Sequence, residues 1–189
     1  MINRIDLGFD PGTTERPVGG TRKRIIAWDF EDMDFSSGDP FTYDGNEKIT
    51  AVTLKAGKVA LELTGFRTDV KKSDEVISLG LGPNQFKHMA SFVICDRTQE
   101  QKNSIEKYAR AKVVIAAENM GADADAFEVL GRKSGLEIVV GKIRDAHENG
   151  GYFTLSFATL EGEYESKLPQ TLGASYADGL TIVTALITP

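Results

Sequence analysis

Apolar residues in this chain recur mostly in short runs separated by turns that carry glycine, proline or asparagine. The runs are rich in β-branched and aromatic residues, which is typical of strands. They cover residues 24–30, 48–55, 58–65, 75–81, 88–95, 112–118, 126–130, 136–143, 152–158 and 180–187. Because only Ala56 and Gly57 separate the second run from the third, these two runs are predicted to form a β-hairpin.

One segment predicts a helix instead. Thr98 and Gln101 have the spacing of a capping box, in which the hydroxyl and the amide bond to each other's backbone N–H. Ile105, Tyr108 and Ala109 then recur at intervals of three and four residues, with charged residues around them. The sequence therefore predicts one surface helix over about residues 99–111.

The first 23 residues are rich in glycine, proline and threonine and have no periodicity, which predicts an extended N-terminal arm. Residues 24–189 are expected to form a single soluble domain, because 189 residues are long enough to bury one core. With roughly ten strands and one helix, the predicted fold is mainly β, a β-sandwich or barrel with one flanking helix.

The net charge limits the kinds of partner that the chain is expected to bind. The chain has 22 Lys and Arg against 28 Asp and Glu, a net charge of −6, which disfavours sequence-independent binding of nucleic acid. The stretch 29–47 includes a predicted loop over residues 32–46, and it contains seven acids and neither Lys nor Arg. Two local groups are the candidates for assembly contacts: the basic Arg22, Lys23 and Arg24, and the acidic Asp29, Glu31, Asp32 and Asp34.

Targeting signals are lacking in the sequence as given. The N-terminal residues do not resemble a signal peptide, and no run of eighteen apolar residues predicts a membrane span. Cys95 has no partner for a disulfide and is expected to be a buried reduced thiol. We therefore expect a protein that is made inside a cell and stays off membranes.

Two motifs suggest a metal site, but each lacks part of the pattern that metal binding requires. Residues 5–14 resemble the first strand and turn of ribonuclease H-type enzymes, in which Asp10 would hold a metal, but that fold needs helices after its strands. Asp123, Asp125 and Glu128 could surround a calcium ion, but their spacing is not that of an EF-hand. The predicted structures are a turn in the arm and a loop between strands.

The histidines do not complete a catalytic pattern either. Neither His88 nor His147 has a Cys or a second His at metal-ligand spacing, and no nucleophile motif accompanies them. His88 is interpreted as a polar residue that opens a strand, and Gly80-Leu81-Gly82 as a turn. We expect no catalytic residue, no metal and no cofactor, and thus no enzyme.

The order of short sequence words from residue 86 onward resembles that of a phage protein family. The words are 86–88, 111–119, 127–131, 134–138, 152–157 and 168–169, with Thr98 starting the helix between the first two. Together they resemble structural proteins from phages of Bacteroidetes-type hosts and, more loosely, tail tube subunits of long-tailed phages.

The resemblance implies a β-sandwich with a flanking helix whose copies form rings, commonly hexameric, that stack into a hollow tube. Its partners would be further copies of itself, other virion proteins, and DNA that passes through the lumen without specific binding. The location would be the virion, assembled in the host cytoplasm. Because an extended arm becomes ordered only on another surface, we expect the arm to lie on a neighbouring subunit and an acidic lumen to let DNA slide.

Two alternatives remain open at this point. A head-to-tail connector, a neck ring or a capsid decoration protein would also be small and rich in β structure. A carbohydrate-binding β-sandwich is a function of another class, in which exposed aromatic rings contact sugars. Its candidate residues are Trp28, Phe41, Tyr43 and Phe66.

Overall fold

The computed structural model describes residues 21–63, 70–78, 80, 82–94, 98–119, 126–141, 143–144 and 152–188, and for residues 21–23 it describes the backbone alone. In chain order the elements are β1 (Thr21–Asp29), a 3-10 turn (Phe30–Asp32), β2 (Phe41–Tyr43), β3 (Ile49–Val52), β4 (Leu61–Leu63), β5 (Lys71–Ile77), β6 (Gln85–Ile94), α1 (Gln99–Tyr108), β7 (Val113–Asn119), β8 (Phe127–Leu130), β9 (Glu137–Ile138), β10 (Phe153–Ala158), β11 (Gln170–Thr171) and α2 (Tyr176–Ile187). With 43% strand and 18% helix, the chain is mainly β, as the sequence predicts.

The described strands pair antiparallel in three sheets. A central sheet has the order β11-β8-β7-β1-β4, and an outer sheet has the order β5-β6-β10-β9. The third sheet is the hairpin β2-β3. The outer sheet covers one face of the central sheet, while the hairpin and α2 cover the other. This arrangement is compatible with the predicted β-sandwich.

Side chains along the central strands point alternately to the two faces of the sheet and contribute to two hydrophobic clusters. In β1, Ile25 and Ala27 face the outer sheet, whereas Ile26 and Trp28 face the opposite side. The first cluster includes Phe92, Ile105, Val113, Ile115, Leu130, Leu136, Leu155 and Phe157. The second includes Met33, Phe41, Ile49, Val114, Phe127, Leu172, Val183 and Leu186. Because both faces are buried, the central strands read as continuous apolar runs.

Helix α1 confirms the predicted helix. Its N-cap is Thr98, whose hydroxyl accepts a hydrogen bond from the Gln101 backbone N–H at 3.3 Å. Ile105 is the buried residue of α1 and joins the cluster beneath the outer sheet. The partly buried Tyr108 packs against the same cluster, while most charged residues of the helix remain at the surface.

The prediction of a final strand over residues 180–187 is wrong, because this segment belongs to α2. Ser175 caps the helix by accepting from the Asp178 backbone N–H at 3.2 Å. Gly179, Val183 and Leu186 are buried at helical spacing, so one face of α2 packs on the central sheet. β-branched residues lower helix propensity only slightly, and burial of this face outweighs that preference.

The predicted hairpin between residues 48–55 and 58–65 is also wrong. The chain does turn at Gly57, which has φ of 74°, but the two runs then separate. β3 pairs with β2, and β4 pairs with β1, with Leu61 opposite Ala27. Each run thereby joins a different sheet: Ile49 of β3 is buried in the second cluster, whereas Leu63 of β4 packs against the first.

Several predicted boundaries differ from those observed, among them the strand predicted over 75–81, which is observed as β5 (Lys71–Ile77). The arm was expected to extend to residue 23, but β1 begins at Thr21, which pairs with Asn119 of β7. Residues 1–20 of the predicted arm lie outside the described residues. The strand predicted over 136–143 is reduced to Glu137–Ile138, and the following valines are exposed.

Replacing Gly179 by alanine is expected to destabilise the protein by about 1–3 kcal/mol, although alanine normally favours a helix. A Cβ at this position would lie 2.7 Å from the Leu172 carbonyl oxygen and 2.8 Å from the Phe127 ring. The free energy of unfolding in urea measures the effect. Gly45→Ala is the matched control, expected to change it by less than about 0.5 kcal/mol, because no described atom lies within 4 Å of the added Cβ. A more stable Gly179→Ala variant would contradict the observed packing of α2.

Candidate assembly surface

The first edge of the outer sheet is β5, which leaves one side of its backbone unpaired among the described residues. β5 pairs with β6 along its whole length, from Lys71 opposite Ser91 to Ile77 opposite Gln85. No described strand pairs with the other side. Val76 is 60% exposed on this strand. An unpaired edge with an exposed apolar side chain can accept a strand from another molecule.

The opposite edge of the same sheet is β9. Ile138 pairs with Phe157 of β10, and the Val139 backbone N–H extends this pairing by donating to the Ser156 carbonyl at 2.7 Å. Val139 is 48% exposed and Val140 is 98% exposed. The two edges of the outer sheet therefore each carry exposed valines.

Strand β5 is anchored to the central sheet by an ion pair. The Lys72 ammonium contacts the Glu128 carboxylate of β8. Burial raises the pKa of Asp74 on the same strand, with a further contribution from the Glu128 charge. These contacts hold β5 in place beside β6, so its outer side is a fixed surface.

The predicted basic group lies on β1. Arg22 and Lys23 belong to the strand, and their side chains lie outside the described atoms. Arg24 forms a two-point contact with Glu62 of β4, through Nε at 3.0 Å and Nη2 at 3.1 Å. Asp29, where the acidic group begins, is five residues further along the strand, or about 16 Å. The structure therefore does not bring the two predicted groups together.

The acidic group forms turns of its own chain. The carboxylate of Asp29 accepts from the Glu31 backbone N–H at 2.9 Å. In the same way, Asp34 accepts from the Ser36 backbone N–H at 2.9 Å. Glu31 has an exposed side chain. Asp29 and Asp34 thus shape the chain at the end of β1, the structural role that short acidic side chains often have in turns.

Several acids of the stretch 29–47 contact bases that are distant in the sequence. The described ion pairs are Asp32 with Lys58 at 2.8 Å, Asp39 with Arg132 at 3.5 Å, and Glu47 with Lys167 at 2.8 Å. The segment also contains β2 and is not one long loop. Three of the seven acids are therefore compensated by described ion pairs within the chain.

Among the aromatic residues considered for sugar binding, those that the structure describes do not form an exposed platform. Trp28 and Phe41 are buried in the cluster beneath α2 and the β2-β3 hairpin. Tyr43 is half-buried, and its hydroxyl contacts the Arg132 guanidinium. Phe66 lies outside the described residues. Trp28 and Phe41 contribute to packing and offer no ring face to a sugar.

A buried polar cluster, which sequence reasoning missed, lies around His88. The residue does not open a strand as predicted, since β6 begins at Gln85 and His88 is 1% exposed. The Gly131 backbone N–H donates to its Nδ1 at 3.4 Å, and its Nε2 lies 3.0 Å from the Lys167 carbonyl oxygen. This pattern assigns the neutral ring with its proton on Nε2. Thr159 bonds to the His88 backbone.

Glu165 is the second buried member of the cluster. Its Oε1 accepts from the Lys133 backbone N–H at 2.8 Å, and its own backbone pairs with Phe86 at the start of β6. Burial raises the pKa of Glu165, while the Lys133 N–H and the Arg132 charge oppose this shift. Nothing in the polar stretch 161–167 distinguishes this glutamate by sequence. The cluster joins β6 to the turn after β8 and to the segment after β10.

Several predicted positions lie outside the described residues: Asp10, Cys95, Asp123, Asp125 and His147. Glu128, the described member of the proposed calcium group, contacts Lys72 instead. Within the described part of the chain, no three His, Cys, Asp or Glu side chains are grouped so that they could hold a metal ion.

No described helix is long and apolar enough to cross a membrane.

Comparison of the chain with known protein families, with curated proteins and with solved structures gives no match. The assignment of function therefore depends on the geometry of the chain itself.

Acid is expected to destabilise the fold through His88. Burial lowers the pKa of this imidazole to about 4 from 6.5. Because the unfolded chain binds the proton first, stability is lost as pH falls from about 6.5 toward 4, by up to about 3 kcal/mol. Urea unfolding at a series of pH values measures this loss, and His88→Gln should reduce the slope over that range.

The raised pKa of Glu165 acts in the opposite direction, since its burial lowers stability as pH rises through its ordinary value. The comparison between wild type and His88→Gln isolates the histidine contribution from that of Glu165. Equal slopes in the two proteins would show that His88 does not titrate with the fold.

Proposed function

We propose that this chain is a structural subunit of a phage particle, most directly a tail tube protein whose copies form rings and stack into a conduit for DNA. The observation that supports this proposal is the presence of exposed valines at both edges of one sheet, Val76 on β5 and Val139 and Val140 beside β9. In a ring, β5 of one copy would pair with the β9 edge of the next.

The two edges differ in sequence, so their pairing is heterologous, and repeated heterologous contacts close into a ring when the rotation between copies allows it. Such pairing would continue the outer sheet from subunit to subunit and bury valines that the single chain exposes. It would also satisfy backbone groups on the free side of β5. A tube adds the stacking of one ring on another.

The net charge of −6 fits a conduit that does not hold DNA, because phosphate contacts would have to break at every step of its passage. Because Asp32, Asp39 and Glu47 are paired within the chain, the proposal assigns this role to the overall charge and not to residues 29–47 alone. A connector or neck ring would use the same two edges without stacking into a tube.

Charge placed at either edge is expected to prevent assembly. Val76→Arg and Val140→Arg should each raise the protein concentration needed for half-assembly by about tenfold or more, which corresponds to about 1.4 kcal/mol per contact. Size exclusion with light scattering measures the assembled mass, and negative-stain microscopy of the same fractions identifies rings and tubes. Each variant should keep the melting temperature of the wild-type subunit, because Val76 and Val140 are exposed.

Leu168→Arg is the matched control, since Leu168 is an exposed apolar residue outside the strands of the outer sheet and should tolerate charge. A wild-type protein that stays monomeric at high concentration would refute the assembly function. If rings form equally well in both edge variants, the ring interface lies elsewhere.

A further inference from the structure

A cleft with both apolar and polar walls separates β4 from α1. Its volume is about 470 Å³, and its walls include Leu61 and Leu63 of β4 and Tyr108 of α1, with Phe92 of β6 also lining it. Leu61 stands opposite Ala27 in the sheet and is 56% exposed. Covering an exposed leucine with another apolar side chain lowers the free energy of the protein.

The edge of the central sheet beside the cleft is incomplete among the described residues. β4 is the last strand of this sheet, and its outer side pairs with no described strand. Another strand beside β4 would supply backbone partners for this edge.

The sequence contains a segment with the chemistry that this cleft would accept. Residues 5–9 read Ile-Asp-Leu-Gly-Phe, which places Ile5, Leu7 and Phe9 on one face of an extended chain. Asp6 would lie on the opposite face. The apolar face of such a segment matches Leu61, Leu63 and Phe92, which belong to the apolar part of the cleft wall.

The same chain can reach the site. β1 begins at Thr21, and Ala27, which pairs with Leu61, is six residues or about 20 Å further along the strand. Residues 10–20 can span up to about 36 Å when extended. A tethered segment has an effective concentration in the millimolar range, so it competes well against the same segment of a second molecule.

We propose that residues 5–9 dock in this cleft on their own chain, adding a strand to the free side of β4 and covering Leu61 and Leu63. The sequence alone favours a neighbouring subunit as the surface for the arm, whereas the reach of residues 10–20 favours the arm's own subunit. This inference does not depend on the ring contacts of β5 and β9.

A disulfide between the segment and β4 tests the proposal. In a Cys95→Ala background, Leu7→Cys combined with Leu61→Cys should cross-link within one chain under mild oxidation, at a rate that does not change with protein concentration. The control is Leu7→Cys with Val140→Cys, where the second cysteine is exposed beside β9. The Leu61 pair should react about tenfold faster than the control.

Equal rates for the two pairs, or covalent dimers as the main product at Leu61, would overturn the proposal. A second measurement requires no cysteine. Deleting residues 1–10 should increase amide hydrogen exchange at Leu61–Leu63 relative to the full chain, and unchanged exchange there would also overturn it.

Discussion

Burial of both faces of the central sheet is the constraint on which the other elements depend. Residues 25–28 of β1 and 113–117 of β7 are apolar at every position, so each face of the sheet needs a cover of its own. The outer sheet covers one face, while α2 and the β2-β3 hairpin cover the other. A one-residue shift in the register of β1 would exchange the sides of Ile25 and Ile26, and both layers would then have to repack.

Much of this fold could be predicted from local sequence patterns. Most strand positions follow from short apolar runs, and α1 follows from its capping residues and helical spacing. The pairing of the strands could not be predicted in this way, because the residues around Gly57 favour a hairpin as long as only neighbouring runs are compared. The alternative partners, β1 for β4 and β2 for β3, are distant in sequence or hidden inside an acidic stretch.

The C-terminal segment shows why an apolar run is ambiguous. Its Thr, Ile and Val residues favour a strand, whereas Ser175 and Asp178 have the spacing of a helix cap. The cap and the spacing of Gly179, Val183 and Leu186 were the signals that could have identified α2. The contacts that decide the outcome, on Phe127 and Leu172, come from other parts of the chain. Likewise, no local pattern predicts that Lys58, Arg132 and Lys167 compensate the acids of residues 29–47.

The anchoring of β5 has a consequence for the kinetics of the proposed assembly. β6 pairs with every residue of the strand, and Lys72 ties it to β8, so its backbone is already extended before a partner arrives. Association at this edge would therefore lose little conformational entropy. It would proceed at a rate limited by the correct orientation of two rigid bodies and not by the folding of a segment. An edge of this kind favours the rapid, uniform addition of identical subunits.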